Sequence, residues 1–406
     1  MPHPRPSHHR HHRHHGSSVL LPVGVLLAVI ALLAGALAPA RAAERPEPRR
    51  AEGLQVRGNG FGHGHGLSQW GAYFRAKAGQ SDQQILRFYY PTLRQGRAGG
   101  SVSVLISADT SADVAVRDRD GLVVRALSND RRYRLGQPRA LQWRLVAADG
   151  GRRTAIEWKA RGAGWRTLRT VPGEAEFDAG GAPITLRTPA GDRAYRGVLR
   201  SAAPRVGAAR DTVNVLPLEQ YLRGVVPREV PALWPGAAVR AQSVAARTYA
   251  AFERRQPLAP HYEICDTALC QVYGGATDEH PASDRAVQAT ARRVLLAGGR
   301  PAFAQFSASN GGWQSAGSVD YLVSQEDPFD TAYRGWSVTI PGGDLARAYP
   351  GLGAFVGAEV TERDGDGAFG GRVVTLRLTF VDGAVTVDGD DFRSIFGLRS
   401  TLFRVL

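Results

Sequence analysis

Glu229 has surroundings that could support acid–base chemistry: it stands between Pro227 and Pro231, among Val225, Val226, Val230, Leu233 and Trp234. Apolar neighbours desolvate a carboxyl and raise its pKa toward the range a general acid needs. Arg228 opposes that shift, although adjacent side chains of an extended segment point apart. On these residues alone, a glutamate between two prolines reads first as a solvated loop charge. Cys265 and Cys270, the two cysteines of the sequence, offer a local disulfide. His261 with the same pair offers the alternative, three zinc ligands with water as the fourth. Gly58 to Gly66 alternates glycine with another residue, and an extended backbone would project His63 and His65 to one side. That spacing suits ligand stacking or a metal, and the glycines equally suit a tight bend. It is no dinucleotide fingerprint, because strict alternation gives no G-x-G-x-x-G. Ser309, Asn310, Gly311 and Gly312 supply hydroxyl, amide and backbone donors, or simply a glycine turn. Ser309 lacks a nearby His–Asp pair, so triad chemistry is disfavoured. Asp364-Gly365-Asp366-Gly367 begins like a calcium loop but lacks the distal glutamate, and reads as a turn.

The elements that must position these residues are short and mixed. Gln69 to Ala78 has a helical pattern stopped by Gly79, and Ser81-Asp82-Gln83-Gln84 opens a second helix whose apolar side is Ile85, Leu86, Phe88 and Tyr89, before Pro91. From Ser101 to about Arg200, alternating runs such as Val102-Ser103-Val104-Leu105-Ile106 predict a β-rich region. Trp143, Trp158 and Trp165 fall in it, as core or turn packing. A short helix is expected over 216–222, then a proline-bracketed segment to Pro235, then an alanine-rich helix to about Arg254. Arg240 and Arg247 share a face of that last helix at i, i+7. A helix over 283–292 and strands at 294–296, 373–380 and 385–387 complete an α+β, β-rich fold with a few helices.

The chain has 406 residues, 43% of them apolar, enough for one large core or two moderate ones. Its first eighteen residues hold three Arg, seven His and no carboxylate, and run into an apolar stretch from Val19 to Ala38. With Ala40-Arg41-Ala42 following, this is a signal-peptide layout with cleavage after Ala42 or Ala43, and export favours the disulfide over zinc. The alternative is an uncleaved membrane anchor, weakened by Pro22, Gly24 and Gly35. Net charge is +14, carried almost wholly by Arg, since Lys77 and Lys159 are the lysines. An exported basic chain suits an anionic environment such as the bacterial wall, though solubility alone would also explain it. Nucleic-acid binding is disfavoured by the export signal and by the lack of a basic cluster interleaved with aromatics after it.

The run from Leu216-Pro217-Leu218-Glu219-Gln220-Tyr221 through Pro227-Arg228-Glu229-Val230-Pro231, Trp234-Pro235 and Ala245-Ala246-Arg247-Thr248-Tyr249 resembles the SpoIID/LytB family. The resemblance continues through Cys265-Asp266-Thr267, Cys270-Gln271-Val272-Tyr273-Gly274-Gly275 and Phe306-Ser307-Ala308-Ser309-Asn310-Gly311-Gly312-Trp313. A second family element is Gly60-Phe61-Gly62-His63-Gly64-His65-Gly66-Leu67-Ser68-Gln69-Trp70-Gly71-Ala72. In sporulation members it lies near the C-terminus, whereas here it precedes the domain, so a shared site requires the two segments to meet.

The resemblance implies a peptidoglycan lytic transglycosylase, or a non-catalytic enhancer of a cell-wall amidase. It assigns the acid to Glu229 and substrate contacts to Arg247, His63, His65, Gln69, Ser309 and Asn310, along a glycan-binding groove. For Arg247 a structural ion pair is the alternative. No cofactor is expected, zinc at His261, Cys265 and Cys270 being the exception. The partners implied are glycan strands and a cell-wall amidase, with the membrane met only through an uncleaved signal segment. The expected organisation is a signal peptide at 1–42, a linker at 43–53, the glycine-histidine segment at 54–96, a β-rich domain at 97–205 and the SpoIID/LytB-like domain at 206–406.

Overall fold

The computed structural model describes residues 51–204 and 209–406. The expected signal peptide and all but the end of the linker lie outside the described residues. The fold is mixed and β-rich, with seven α-helices and no closed barrel among the described residues. No described helix is long and apolar enough to cross a membrane.

Strict alternation of apolar and polar residues puts one face of each strand inward. In Ser101–Leu105, Val102 and Val104 are buried while their neighbours are not, and Asp113–Arg117 repeats the pattern with Val114 and Val116. Between residues 101 and 217 such strands form two sheets. One has six strands, from Arg166–Pro172 through Arg153–Lys159, Gln142–Ala148, Asp113–Arg117 and Ile184–Thr188 to Gly191–Tyr195. The other has seven, with Ser101–Leu105, Asp211–Pro217, Val198–Ala202, Ala175–Asp178, Val123–Ala126 and Arg132–Arg134 in that order. Its outermost strand, Ile264–Cys265, pairs parallel to Ser101–Leu105. Trp143 and Ile156 of the first sheet share one core with Val104, Phe177 and Leu199 of the second.

The helices grow directly out of this core. Helices α1 (Gln69–Lys77) and α2 (Asp82–Tyr89) form as the sequence predicts, α2 with a reciprocal cap in which Ser81 and Gln84 satisfy each other's backbone N–H. Helix α3 (Leu218–Glu229) follows strand Asp211–Pro217 without a loop and buries Leu218, Tyr221, Leu222, Val225 and Val226 in the same core. Here the expected short helix and extended proline-bracketed segment are corrected: α3 runs through Pro227 and ends at Glu229. A proline this near the end forgoes one hydrogen bond, and burial of Val225 and Val226 with the Val230 N–H on the Val226 carbonyl at 3.0 Å holds the last turn.

Helix α4 (Gly236–Glu253) is alanine-rich because it is covered on both sides. Val239, Ala246, Ala250 and Ala251 face the main core, while Ala238, Ala241 and Val244 join Leu67, Ile85, Leu86 and Tyr89 of the α1–α2 segment in a second one. Helix α5 (Pro281–Ala289) starts at a proline, two residues before the expected 283. A third core joins Leu54 and Val56 of strand Gly53–Gly58 to Ile340, Phe355, Leu376, Phe392 and Phe403. That strand lies between Trp336–Pro341 and Phe403–Val405, so its partners come from the far end of the sequence.

Candidate functional site

Glu229 lies half-buried at the C-terminal end of α3. Its Oε1 accepts the Val272 N–H at 3.1 Å, and its Oε2 accepts the Gln69 side-chain amide at 3.4 Å. Burial pushes its pKa up, against the Val272 and Gln69 donors and the charge of Arg228. Its place in the last helical turn, where backbone carbonyls point outward, acts in the same upward direction. Arg228 is exposed and turned to Asp278 at 3.5 Å.

Val272 is placed by its neighbours on either side. Cys265 and Cys270 are joined as a disulfide, and the Cys265 N–H donates to Cys270 Sγ at 3.1 Å. Gln271 donates to the Ala246 carbonyl and accepts from the Tyr221 hydroxyl, both at 3.2 Å. Tyr273 donates to Asn214 at 2.7 Å. Gly224 makes room for the segment, since a Cβ there would stand 2.7 Å from the Gly275 carbonyl oxygen. The zinc alternative at His261, Cys265 and Cys270 is corrected by this arrangement: both sulfurs are spent on each other, and His261 Nε2 lies 2.7 Å from Asp211.

Gln69 is placed from the opposite side of the sequence. The glycine-histidine run is not the extended segment its alternation suggests: Gly60, Gly62, Gly64 and Gly66 take φ of +77°, +101°, +78° and +64°. Only glycine adopts such values freely, which is why the glycines alternate. The bent run lays Phe61 against Ser309, and Leu67–Ser68 then pairs parallel to Phe306–Ser307. Ser68 caps α1 through the Gly71 N–H at 3.0 Å and donates to Asp330 at 2.7 Å. Ser309 and Asn310 are fully buried in the same network, Ser309 donating to Asp330 and Asn310 to Asp327, both at 2.9 Å. Arg75 and Tyr89 converge on Asp327 at 2.8 and 2.6 Å. Ser309 and Asn310 thus hold the start of α1, whose first residue is Gln69.

Arg247 stands apart from Glu229. It is fully buried, with Nε and Nη2 forked on Glu219 at 2.9 and 2.8 Å and its remaining N–H groups on Ser243, Val287, Thr290 and Arg293. No donor remains for a ligand. Glu219 lies ten residues before Glu229 on the same helix, about 15 Å at a helical rise. Arg240 turns to Asp82 at 3.0 Å.

His63 and His65 stack with ring centroids 5.0 Å apart. Burial, then the His65 and Arg372 charges, push His63 down to about 3, so it is neutral at working pH. His65 Nδ1 lies 3.2 Å from the Ser315 carbonyl. Gly64 lets the buried Arg372 approach, since a Cβ there would be 2.1 Å from its guanidinium.

Sequence reasoning named Trp234 beside Glu229 but missed the rings gathered around it. Trp70 and Tyr73 of α1 each lie 4.9 Å from Trp234, and Tyr333 lies 6.3 Å from Trp70. The spacing of Trp70 and Tyr73 on one helical turn was the available signal; nothing local ties either to Trp234 or Tyr333. It also missed Asp327 and Asp330, whose partners Arg75, Tyr89 and Ser68 lie 252, 238 and 262 residues away.

Comparison with known proteins bears on the same segment. Residues 207–296 match the SpoIID family, Stage II sporulation protein. The chain is 37% identical over 125 residues to the Amidase enhancer of Bacillus subtilis (strain 168), which covers 29% of this chain and 17% of that protein. It is 35% identical over 102 residues to an uncharacterized protein of Brachyspira hyodysenteriae, covering 25% of this chain and 27% of that one. Stage II sporulation protein D of Bacillus subtilis is 26% identical over 273 residues, covering 58% of this chain and 76% of that protein. No solved structure matches. The matched segment, similar to the SpoIID family and shared with the sporulation-protein relatives, carries Glu229, Arg247 and both cysteines.

Proposed function

We propose that the protein is an exported, wall-associated lytic transglycosylase that cleaves peptidoglycan glycan strands, with Glu229 as acid and then base. The observation that carries this reading is the setting of Glu229. Its carboxyl is half-buried and held above the usual carboxylate range, and among the described residues no second carboxylate acts on it. Hydrolytic glycosidases flank the scissile bond with two carboxyls. A lytic transglycosylase needs one, because the muramic acid C6 hydroxyl is the nucleophile.

Protonated Glu229 gives its proton to the glycosidic oxygen as that oxygen leaves the anomeric carbon. The carboxylate then takes the C6 hydroxyl proton as the C6 oxygen bonds the same carbon. An anhydromuramic end results and Glu229 is protonated again. Between the two transfers the Val272 N–H and the Gln69 amide steady the carboxylate. The basic charge of the chain suits the anionic wall.

A second reading is favoured by the similarity to the Amidase enhancer: a non-catalytic wall-binding protein that activates a cell-wall amidase. Mass spectrometry of fragments released from peptidoglycan, intact and stripped of stem peptides, separates the two. Anhydromuramic ends from the wild type and not from Glu229→Gln are the expected result. Absence of such ends from both substrates, with stimulation of an added amidase by both proteins, would leave the enhancer reading standing.

A further inference from the structure

Trp70, Tyr73 and Trp234 form a cluster that begins next to Gln69, whose amide meets the Glu229 carboxyl, and all three rings lie within 5.3 Å of one another. Tyr333 continues the row from Trp70, and Phe61 continues it from Tyr333 at 5.4 Å. These five rings come from four separate stretches of chain, yet none is buried, and Phe61 is 42% exposed. An assembled row of large apolar groups left partly open to water marks a contact surface.

The backbone gives a second, independent sign. Tyr333 has φ of +52°, a left-handed conformation that bulky residues rarely adopt, and its carbonyl accepts the Gly60 N–H at 3.0 Å. Strain of this kind persists where the surroundings over-determine it, and it clusters at ligand sites. Here it turns the Tyr333 ring into the row. Arg399 is exposed and lies over that ring at 5.1 Å, and Arg334, next in sequence, is exposed too. The row therefore has flat apolar faces for stacking and guanidinium groups at its Tyr333 end.

We infer that this row is the stacking subsite for an anionic glycan, taking the apolar C–H faces of pyranose rings on Trp234, Trp70 and Tyr333 and a muramyl carboxylate on Arg399. The inference rests on the glycan reading of Glu229 and names how the strand is held and which sugars are preferred. Muramyl glycan carries a lactyl carboxylate on alternate sugars, whereas chitin oligomers offer the same ring faces without charge. Ring stacking gives affinity for both, and the guanidinium groups favour the first.

The test is binding of peptide-free muramyl glycan oligomers and of chitin oligomers, followed by tryptophan fluorescence in the Glu229→Gln protein, with Trp234→Ala, Tyr333→Gly and Arg399→Ala added singly. Trp234→Ala and Tyr333→Gly should each weaken muramyl glycan binding at least tenfold, and Arg399→Ala should remove most of the preference over chitin oligomers. Tyr333→Gly relieves the backbone strain as it deletes the ring, so its melting temperature should hold or rise and lost binding will not reflect unfolding. Unchanged binding in both ring variants, or no binding by the parent protein, would overturn the inference. Weakened binding in the ring variants without anhydromuramic ends from the wild type would instead sink the Glu229 chemistry and leave the subsite standing.

Discussion

A carboxyl held above its ordinary pKa has a cost in the folded state, and Glu229 bears such a cost. Folded Glu229 keeps its proton at pH values where the unfolded chain has released its own. Stability tied to the residue is therefore full below the ordinary carboxylate range and is lost as pH rises through the folded pKa. Glutamine keeps the shape and cannot ionise. Glu229→Gln should accordingly melt at a higher temperature than the wild type at neutral pH, with the gap closing as the solution is acidified below the ordinary carboxylate range. Thermal denaturation across a pH series checks this; a variant less stable than the wild type at neutral pH would mean burial does not penalise the charge. In the same protein, glycan cleavage should fall at least about a hundredfold, the lower range for loss of a positioned acid.

At the scale of elements, two fastenings set where α3 ends. Arg247 and Glu219 tie its first turn to α4 and α5, and the disulfide segment meets its last turn through Val272. Arg247→Met leaves Glu219 partly in water and removes the guanidinium donor from the carbonyls of Ser243, Val287 and Arg293. A loss of about 3 kcal/mol in urea denaturation is expected, near the lower bound for breaking a buried pair. Replacing both Cys265 and Cys270 by Ser should cost about 2 kcal/mol, since the closed loop is short. It should also shift activity. The Val272 N–H favours the ionised carboxyl, so loosening it raises the Glu229 pKa, and the alkaline limb of the pH–rate profile should move to higher pH. An unmoved limb would show that Val272 holds its place without the disulfide. These fastenings also mark what the sequence could and could not convey. Helices α1 and α2 were legible because their caps and apolar sides are local, and strand Val373–Phe380 because its composition is. The run of α3 through Pro227 was not, because burial of Val225 and Val226 overrides a local breaker. Nor was the fate of Arg247, whose type suits a ligand as well as a partner and whose partner is 28 residues away.

At the scale of the whole molecule, the glycine-histidine segment is an integral part of the fold. Strand Gly53–Gly58 is the middle member of its sheet, and the residues after it are stitched to Ser309, Asp327 and Asp330. Glu229 was singled out by the family resemblance, its neighbours alone reading as a loop charge, and the meeting of Gln69 with it depends on contacts across 160 residues that leave no local trace. Deleting residues 51–58 removes the shared partner of strands Trp336–Pro341 and Phe403–Val405 and uncovers the core around Phe392 and Phe403. The shortened chain is expected to lose its cooperative melting transition in calorimetry; an intact transition would show that the C-terminal core closes unaided.

The pairing of Gly53–Gly58 with Phe403–Val405 also sets a clock. At a ribosomal rate of roughly 5 to 20 residues per second, the early strand waits on the order of tens of seconds for its partner to be made. Gln69 likewise has no fixed place until the residues that anchor Ser68, around Asp330, exist. The Gln69–Glu229 contact is therefore not set until most of the chain has been synthesised.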